Sequence, residues 1–234
     1  MQTVNIEFYQ DKNPLVNDAY DRLISKIPLL KQTQGYSLFT VTGCEPGVGS
    51  TTIAISIAVS MAKSGWKTLL VDADIRKGAD KKRLSADVER GLSEYLSGAA
   101  ALQDVICETN VTALHYIACG TESDSPVTLL NSEALSIFMK FVAEQYDYVI
   151  FDSPSLNTTI DAAIIASKTS GAILVAGYMQ TKKAKIEVAL RELEQTGANL
   201  IGIVLNNVSK KDYRRYIENF DYFMKMKKKK WRSK

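Results

Sequence analysis

Ten residues, Gly43-Cys-Glu-Pro-Gly-Val-Gly-Ser-Thr-Thr52, constrain this chain more than any other stretch. Gly47 and Gly49 let consecutive backbone N–H groups turn inward, forming a concavity of the kind that cradles phosphate oxygens. Thr51 places a hydroxyl where such loops hold Mg²⁺, and Ser50 stands where they carry a lysine. Before the loop, Ser37-Leu-Phe-Thr-Val-Thr42 reads as a buried strand. After it, Thr52 to Ala62 reads as an apolar helix of small residues that stops at Ser64-Gly65. A strand, a glycine loop and a helix with its positive end aimed at the loop make a phosphate-binding unit. A glycine-rich turn that binds nothing is the bland alternative.

Two further motifs argue against the bland reading. Leu69-Leu-Val-Asp-Ala-Asp-Ile-Arg76 is an apolar run that delivers Asp72 and Asp74 at its C-terminal end, the edge where open α/β sheets bind ligands. Alternate residues of an extended segment point the same way, so the two carboxylates are expected to share a site. Tyr148-Val-Ile-Phe-Asp-Ser-Pro-Ser155 reads as another buried strand, ending in Asp152, a Walker-B-type residue suited to holding Mg²⁺ through water.

Residues 1–35 read as an arm with one helix, capped by Asn13 with Pro14 in its first turn. Leu15, Ala19, Leu23, Ile27 and Leu30 give that helix an apolar stripe. Residues 36–209 alternate, with strands near 37–42, 67–72, 113–118, 147–152, 172–176 and 200–205 and helices over 51–64, 132–145, 161–168 and 181–196. The alternation predicts an α/β fold: a doubly wound, mostly parallel sheet in a Rossmann-like three-layer P-loop NTPase domain. Residues 210–234 form a tail in which Tyr213, Tyr216, Ile217, Phe220, Phe223 and Met224 recur on one helical face.

Seven of the last ten residues are basic, and without them the formal charge of +3 becomes −4. The basic balance therefore belongs to the tail. Three readings of it stay open: a solvated end, an anchor on an anionic leaflet aided by Trp231, or a tyrosine cluster for phosphorylation. No basic, aromatic-studded groove appears elsewhere, so nucleic acid is not an expected partner. With no apolar run near the ~18–20 residues of a membrane span and no signal-peptide pattern, a cytoplasmic protein is expected. Cys44, Cys107 and Cys119 fit reduced thiols rather than a disulfide frame. Cys44, inside the loop, reads as a small filler more readily than as a reactive thiol. His115 is the only histidine, which argues against a zinc site or a His-based triad and for a structural role.

These motifs, with Gly91-Leu-Ser-Glu-Tyr-Leu-Ser-Gly98, Leu129-Leu-Asn-Ser132, Asp161-Ala162 and Gly202-Ile-Val-Leu-Asn206, give the chain a family likeness. It resembles the bacterial tyrosine kinases of capsule and exopolysaccharide synthesis, a branch of the Mrp/MinD/ParA-like P-loop ATPases. The likeness runs from Val16 to Val208. It implies transfer of the ATP γ-phosphate to tyrosine with Mg²⁺ as cofactor. Pro46, Gly47, Val48, Gly49, Ser50, Thr51 and Thr52 would surround the phosphates, and Asn206 would face the adenine. Thr51 would ligate Mg²⁺, with Asp72 and Asp152 holding it through water. Asp74 would orient or deprotonate the acceptor hydroxyl, and Asp161 would lie in the switch after Asp152. Tyr213, Tyr216 and Tyr222 would be the acceptors.

The departures carry information too. Relatives read Pro-Gly-x-Gly-Lys-Ser/Thr-Thr, and Ser50 replaces that lysine. The lysine-free loop is also similar to that of pilus-assembly relatives of MinD. The family's arm helix carries Glu-x-x-Arg-x-x-Arg for ring assembly, whereas the matching positions here are Asp18, Asp21 and Ile24. A ring of the family type is therefore not expected, and the stripe is left to pack on the chain's own core or in a dimer. The resemblance implies a separate transmembrane adaptor as partner, with recruitment to the inner face of the membrane. A weakened kinase serving as a nucleotide-gated scaffold, or a MinD/ParA-like positioning or pilus-assembly ATPase, are the alternatives.

Overall fold

A parallel strand covered on both faces must be apolar throughout, because neither face meets water. The computed structural model describes residues 2–7, 14–78, 84, 88 and 90–216. Among them, one sheet contains β1 (Thr3–Val4), β2 (Leu38–Gly43), β3 (Thr68–Asp72), β4 (Ile106–Thr109), β5 (Leu114–Ile117), β6 (Tyr148–Asp152), β7 (Gly171–Gly177) and β8 (Leu200–Asn206). The helices are α1 (Pro14–Ile24), α2 (Lys26–Gln34), α3 (Ser50–Lys63), α4 (Leu92–Leu96), α5 (Leu102–Val105), α6 (Pro126–Leu130), α7 (Glu133–Gln145), α8 (Asp161–Lys168), α9 (Lys183–Gln195) and α10 (Lys210–Tyr216). Every residue of β2, β3, β6 and β7 is buried, as the apolar runs require.

The strand order is β1-β4-β5-β3-β6-β2-β7-β8, and every neighbouring pair is parallel except β4 with β5. The connections from β2 to β3 and from β6 to β7 run in opposite directions across the sheet. Right-handed crossovers then put α3 and α8 on opposite faces. The reversal opens a crevice above the C-terminal ends of β3, β6 and β2. On one face, Ile53, Ala54, Ile57 and Met61 of α3 are buried in the main core with Phe39, Val41, Leu70 and Phe151. A smaller cluster joins Ala162, Ala163 and Ala166 of α8 to Leu174 of β7 and Leu193 of α9.

The expected strands and helices are all present, with ends displaced by one or two residues. The structure adds β1 and β4, two short elements at the sheet edge. The single helix expected in the arm is two, interrupted at Ser25. Pro28 explains the break: it has no N–H to donate to the Ile24 carbonyl, and its ring would collide with that group in a continuous helix. The arm's stripe packs on the main core, with Ile27 buried and Leu23 and Leu30 against it. Asn13, Tyr222, Trp231 and the basic run lie outside the described residues.

The N-terminal ends of β3 and β6 are closed by a cation–aromatic brace. Lys31 of α2 donates to the Asp147 carbonyl at 2.9 Å and to its carboxylate at 3.2 Å. The same ammonium lies 4.8 Å from the centroid of the Tyr148 ring and 5.5 Å from that of Trp66. The Asp147 carboxylate also accepts from the Lys67 amide at 3.0 Å. His115 sits on β5, as expected, with Nδ1 2.7 Å from the Tyr146 hydroxyl.

Candidate functional site

The glycine loop begins where β2 runs out of strand partners at Gly43. Gly47 and Gly49 adopt φ of 80° and 90°, conformations that disfavour a side chain. Val48 between them is fully buried, so the loop turns around an apolar peg. A Cβ on Gly43 would stand 2.7 Å from a methyl of that peg. Pro46 and Gly47 are exposed, as are Thr51 and Thr52 in the first turn of α3, while Ser50 is half-buried at its start. The loop thus lies exposed at the N-terminal end of a 14-residue helix. Cys44 is fully buried, and burial with the neighbouring Glu45 charge pushes its thiol up to about 11. It is a filler, not a nucleophile.

Asp72 and Asp152 are directly opposite each other in the β3·β6 ladder. They end adjacent parallel strands, both more than nine-tenths buried. Asp72 accepts a hydrogen bond from the Asp74 amide at 3.1 Å. β3 ends at Asp72, the Ala73 amide still donates to the Asp152 carbonyl at 2.8 Å, and Asp74 follows directly. Lys77 lies 4.0 Å from the Asp74 carboxylate. The two buried carboxylates and the Thr51 hydroxyl are hard oxygen donors, a chemistry that suits Mg²⁺ better than thiophilic metals.

The segments that follow the two strands are joined. Asp161, the first residue of α8, is 1% exposed. Arg76 meets it with both Nε and Nη2, the latter at 2.9 Å. A bidentate guanidinium is the partner that makes so buried a carboxylate tolerable. Upstream of α8, the chain is zipped to the base of the glycine loop. The amides of Ser153, Leu156 and Asn157 donate to the carbonyls of Val41, Gly43 and Cys44. Thr42 Oγ1 donates to the Pro154 carbonyl at 2.7 Å.

Asn206 is the last residue of β8, and its Nδ2 donates to the Val48 carbonyl at 2.8 Å. The Gly91–Gly98 motif has a structural explanation. Glu94 accepts from the amides of Gly91 and Thr121, closing α4 onto the end of β5. Burial alone would raise this carboxyl, but those bonds and the Thr121 hydroxyl outweigh it and hold it below its ordinary value. Gly91 is required there, because a Cβ would lie 2.2 Å from the Ala118 carbonyl.

A family model described as an AAA domain matches residues 39–201, from β2 to β8. Tyrosine-protein kinase CpsD of Streptococcus agalactiae is 38% identical over 173 residues, which cover 74% of this chain and 75% of that protein. Tyrosine-protein kinase CpsD of Streptococcus pneumoniae is 36% identical over 210 residues, 87% of this chain and 90% of that one. This chain belongs to the bacterial tyrosine-protein kinases. The solved kinase domain of the Escherichia coli tyrosine kinase ETK superposes with a TM-score of 0.78 at 26% identity, over 89% of this chain and 90% of that one.

Within the kinase family frame, the loop and the carboxylates lie at the C-terminal ends of three neighbouring strands, β2, β6 and β3, in a fold that binds nucleotides. Tyr213 lies half-buried on α10, and the side chains of Tyr216 and Tyr222 are outside the described residues. Sequence reasoning missed the pairing of Arg76 with Asp161 and that of Asn206 with Val48. An arginine and an aspartate each beside a strand-end motif were the available signal for the first. Nothing local announces the second. Among the described residues, no helix is long and apolar enough to cross a membrane.

Proposed function

We propose that this kinase holds ATP over the 43–52 loop and transfers its γ-phosphate to tyrosine in a capsule or exopolysaccharide export system. The observation that carries the reading is the register that sets Asp72 beside Asp152 at the strand ends. Thr51, Asp72 and Asp152 would hold Mg²⁺, which when bound neutralises charge on the β- and γ-phosphate oxygens. The amides from Gly47 to Ser50, backed by the positive end of α3, receive the phosphates. Asp74 takes the phenolic proton as the tyrosine oxygen displaces ADP from the γ-phosphorus. Tyr213, Tyr216 and Tyr222 are the candidate acceptors within the chain.

Ser50 removes one charge contact from a reaction that depends on charge stabilisation, a loss of roughly 10²–10³ in rate. Phosphate binding suffers less, since the amides and the metal remain. A membrane-spanning adaptor would bring the kinase to the export system. The tail would add about 1 kcal/mol per basic residue at an anionic leaflet. Asp21 and Ile24, at the two positions where the family's ring motif carries arginine, argue against a ring.

A second reading, a nucleotide-gated scaffold, is favoured by Ser50 together with the zipped 153–157 segment: nucleotide would shift that segment between two states read by a partner. Calorimetry with Mg–ATP on the wild-type chain and Asp72→Ala tests both. Micromolar binding lost in Asp72→Ala supports a working site. Phosphotyrosine formed on addition of the adaptor's cytoplasmic segment then favours the kinase, and binding without transfer favours the scaffold. No binding at millimolar ATP sinks both readings.

A further inference from the structure

The glycine loop is held at Val48 from two sides. The Val48 side chain is fixed in the core, and its carbonyl accepts from Asn206 Nδ2 at 2.8 Å, across 158 residues of sequence. Only the amide nitrogen of Asn206 can serve this contact, because a carbonyl needs a donor. Gly49 completes the fit. A Cβ there would stand 2.4 Å from the same nitrogen, on a backbone with φ of 90°. The flanking Gly47 and Gly49 have no side chains to restrain them, so the Val48 peptide is where the loop can be fastened.

We propose that Asn206 is a positioning residue for phosphate binding: its carboxamide fixes the Val48 peptide, so that the loop amides are aimed before a nucleotide arrives. The proposal rests on the ATP-binding reading above. Where a phosphate loop has its lysine, a cation adds to the amides; here Ser50 supplies no charge. Affinity for phosphate then rests on the amides and the metal, and an unfastened loop would have to be ordered by the ligand itself. This role differs from contact with the adenine, and the two predict opposite results for ligands that lack phosphate.

The test uses full-length wild type, Asn206→Ala and Asn206→Asp, the last keeping shape while removing the donor. Mg–ADP and adenosine are titrated by competition, and hydrogen exchange is followed at the 47–50 amides without ligand. Loss of one bond that leaves a carbonyl unsatisfied should weaken Mg–ADP by about tenfold while adenosine stays within about twofold. Exchange at the loop should accelerate by a similar factor, with the thermal midpoint lowered by no more than about 4 °C. An equal fall for adenosine and Mg–ADP overturns the proposal in favour of an adenine contact, and no change for Mg–ADP overturns it outright. If the wild type bound no nucleotide, the ATP reading would fall separately. Exchange would still decide the fastening: unaltered loop amides overturn it.

Discussion

The two ends of the sheet solve opposite problems. At the N-terminal ends of β3 and β6, each charge is neutralised on the spot: Lys31 is met by Asp147 and two aromatic faces. At the C-terminal ends, two carboxylates stand side by side in register, and Arg76, beyond β3, is paired with Asp161. One end is braced by an ion pair within the chain; the other gathers the residues proposed to meet a ligand. Stability and function are thus separated by the length of a strand.

Substitutions should follow that division. Asp72→Asn or Asp152→Asn is expected to lower phosphotransfer by roughly 10²–10³ while leaving the thermal midpoint unchanged or raised. A large loss of stability would break the contrast, and circular-dichroism melts beside phosphotyrosine assays read both. At the other end, Tyr148→Ala should cost about 3 kcal/mol by denaturant titration, with Mg–ATP affinity retained in the molecules that remain folded. Ser50→Lys is expected to raise ATP turnover at least about tenfold by restoring a charge contact. No gain would place the impairment elsewhere in the site.

Smaller effects sharpen the comparison further. Lys31→Ala should cost about 1 kcal/mol of unfolding free energy and leave nucleotide affinity untouched. The smallest is a pH effect at His115, whose imidazole is held below its ordinary value by burial and then by the Lys67 charge. Its folded form favours the neutral ring, so the unfolded chain takes up the proton more readily. Stability should be full above about pH 6.5 and decline as pH falls through the lower folded value. His115→Asn should flatten that slope in urea midpoints measured between about pH 5 and pH 7.5. Tyr146, pushed up to about 12 by burial, adds nothing in that range.

Much of this architecture is legible in the sequence for a physical reason. Central parallel strands are uniformly apolar, and α3 needs small apolar residues to lie on them, so both announce themselves locally. The edge elements do not: β1 has two residues, and β4 reads Ile-Cys-Glu-Thr with only Cys107 buried. The break at Ser25 was available in Pro28 but was masked by the apolar stripe running across it. Site residues at strand ends were found because charge there is unusual. The fastening of Val48 and the guanidinium on Asp161 were not, since they join positions that only the finished topology brings together.

The central place of β2 has a consequence for synthesis. Its neighbours in the sheet are β6 and β7, and the hydroxyl of Thr42 waits for a carbonyl 112 residues further on. A nascent chain therefore presents an apolar strand with both edges open until β6 has been made, the kind of surface that pairs with other chains. Such late closure also slows folding. The ribosome, or a chaperone beside it, must shelter β2 until Asp152 has emerged.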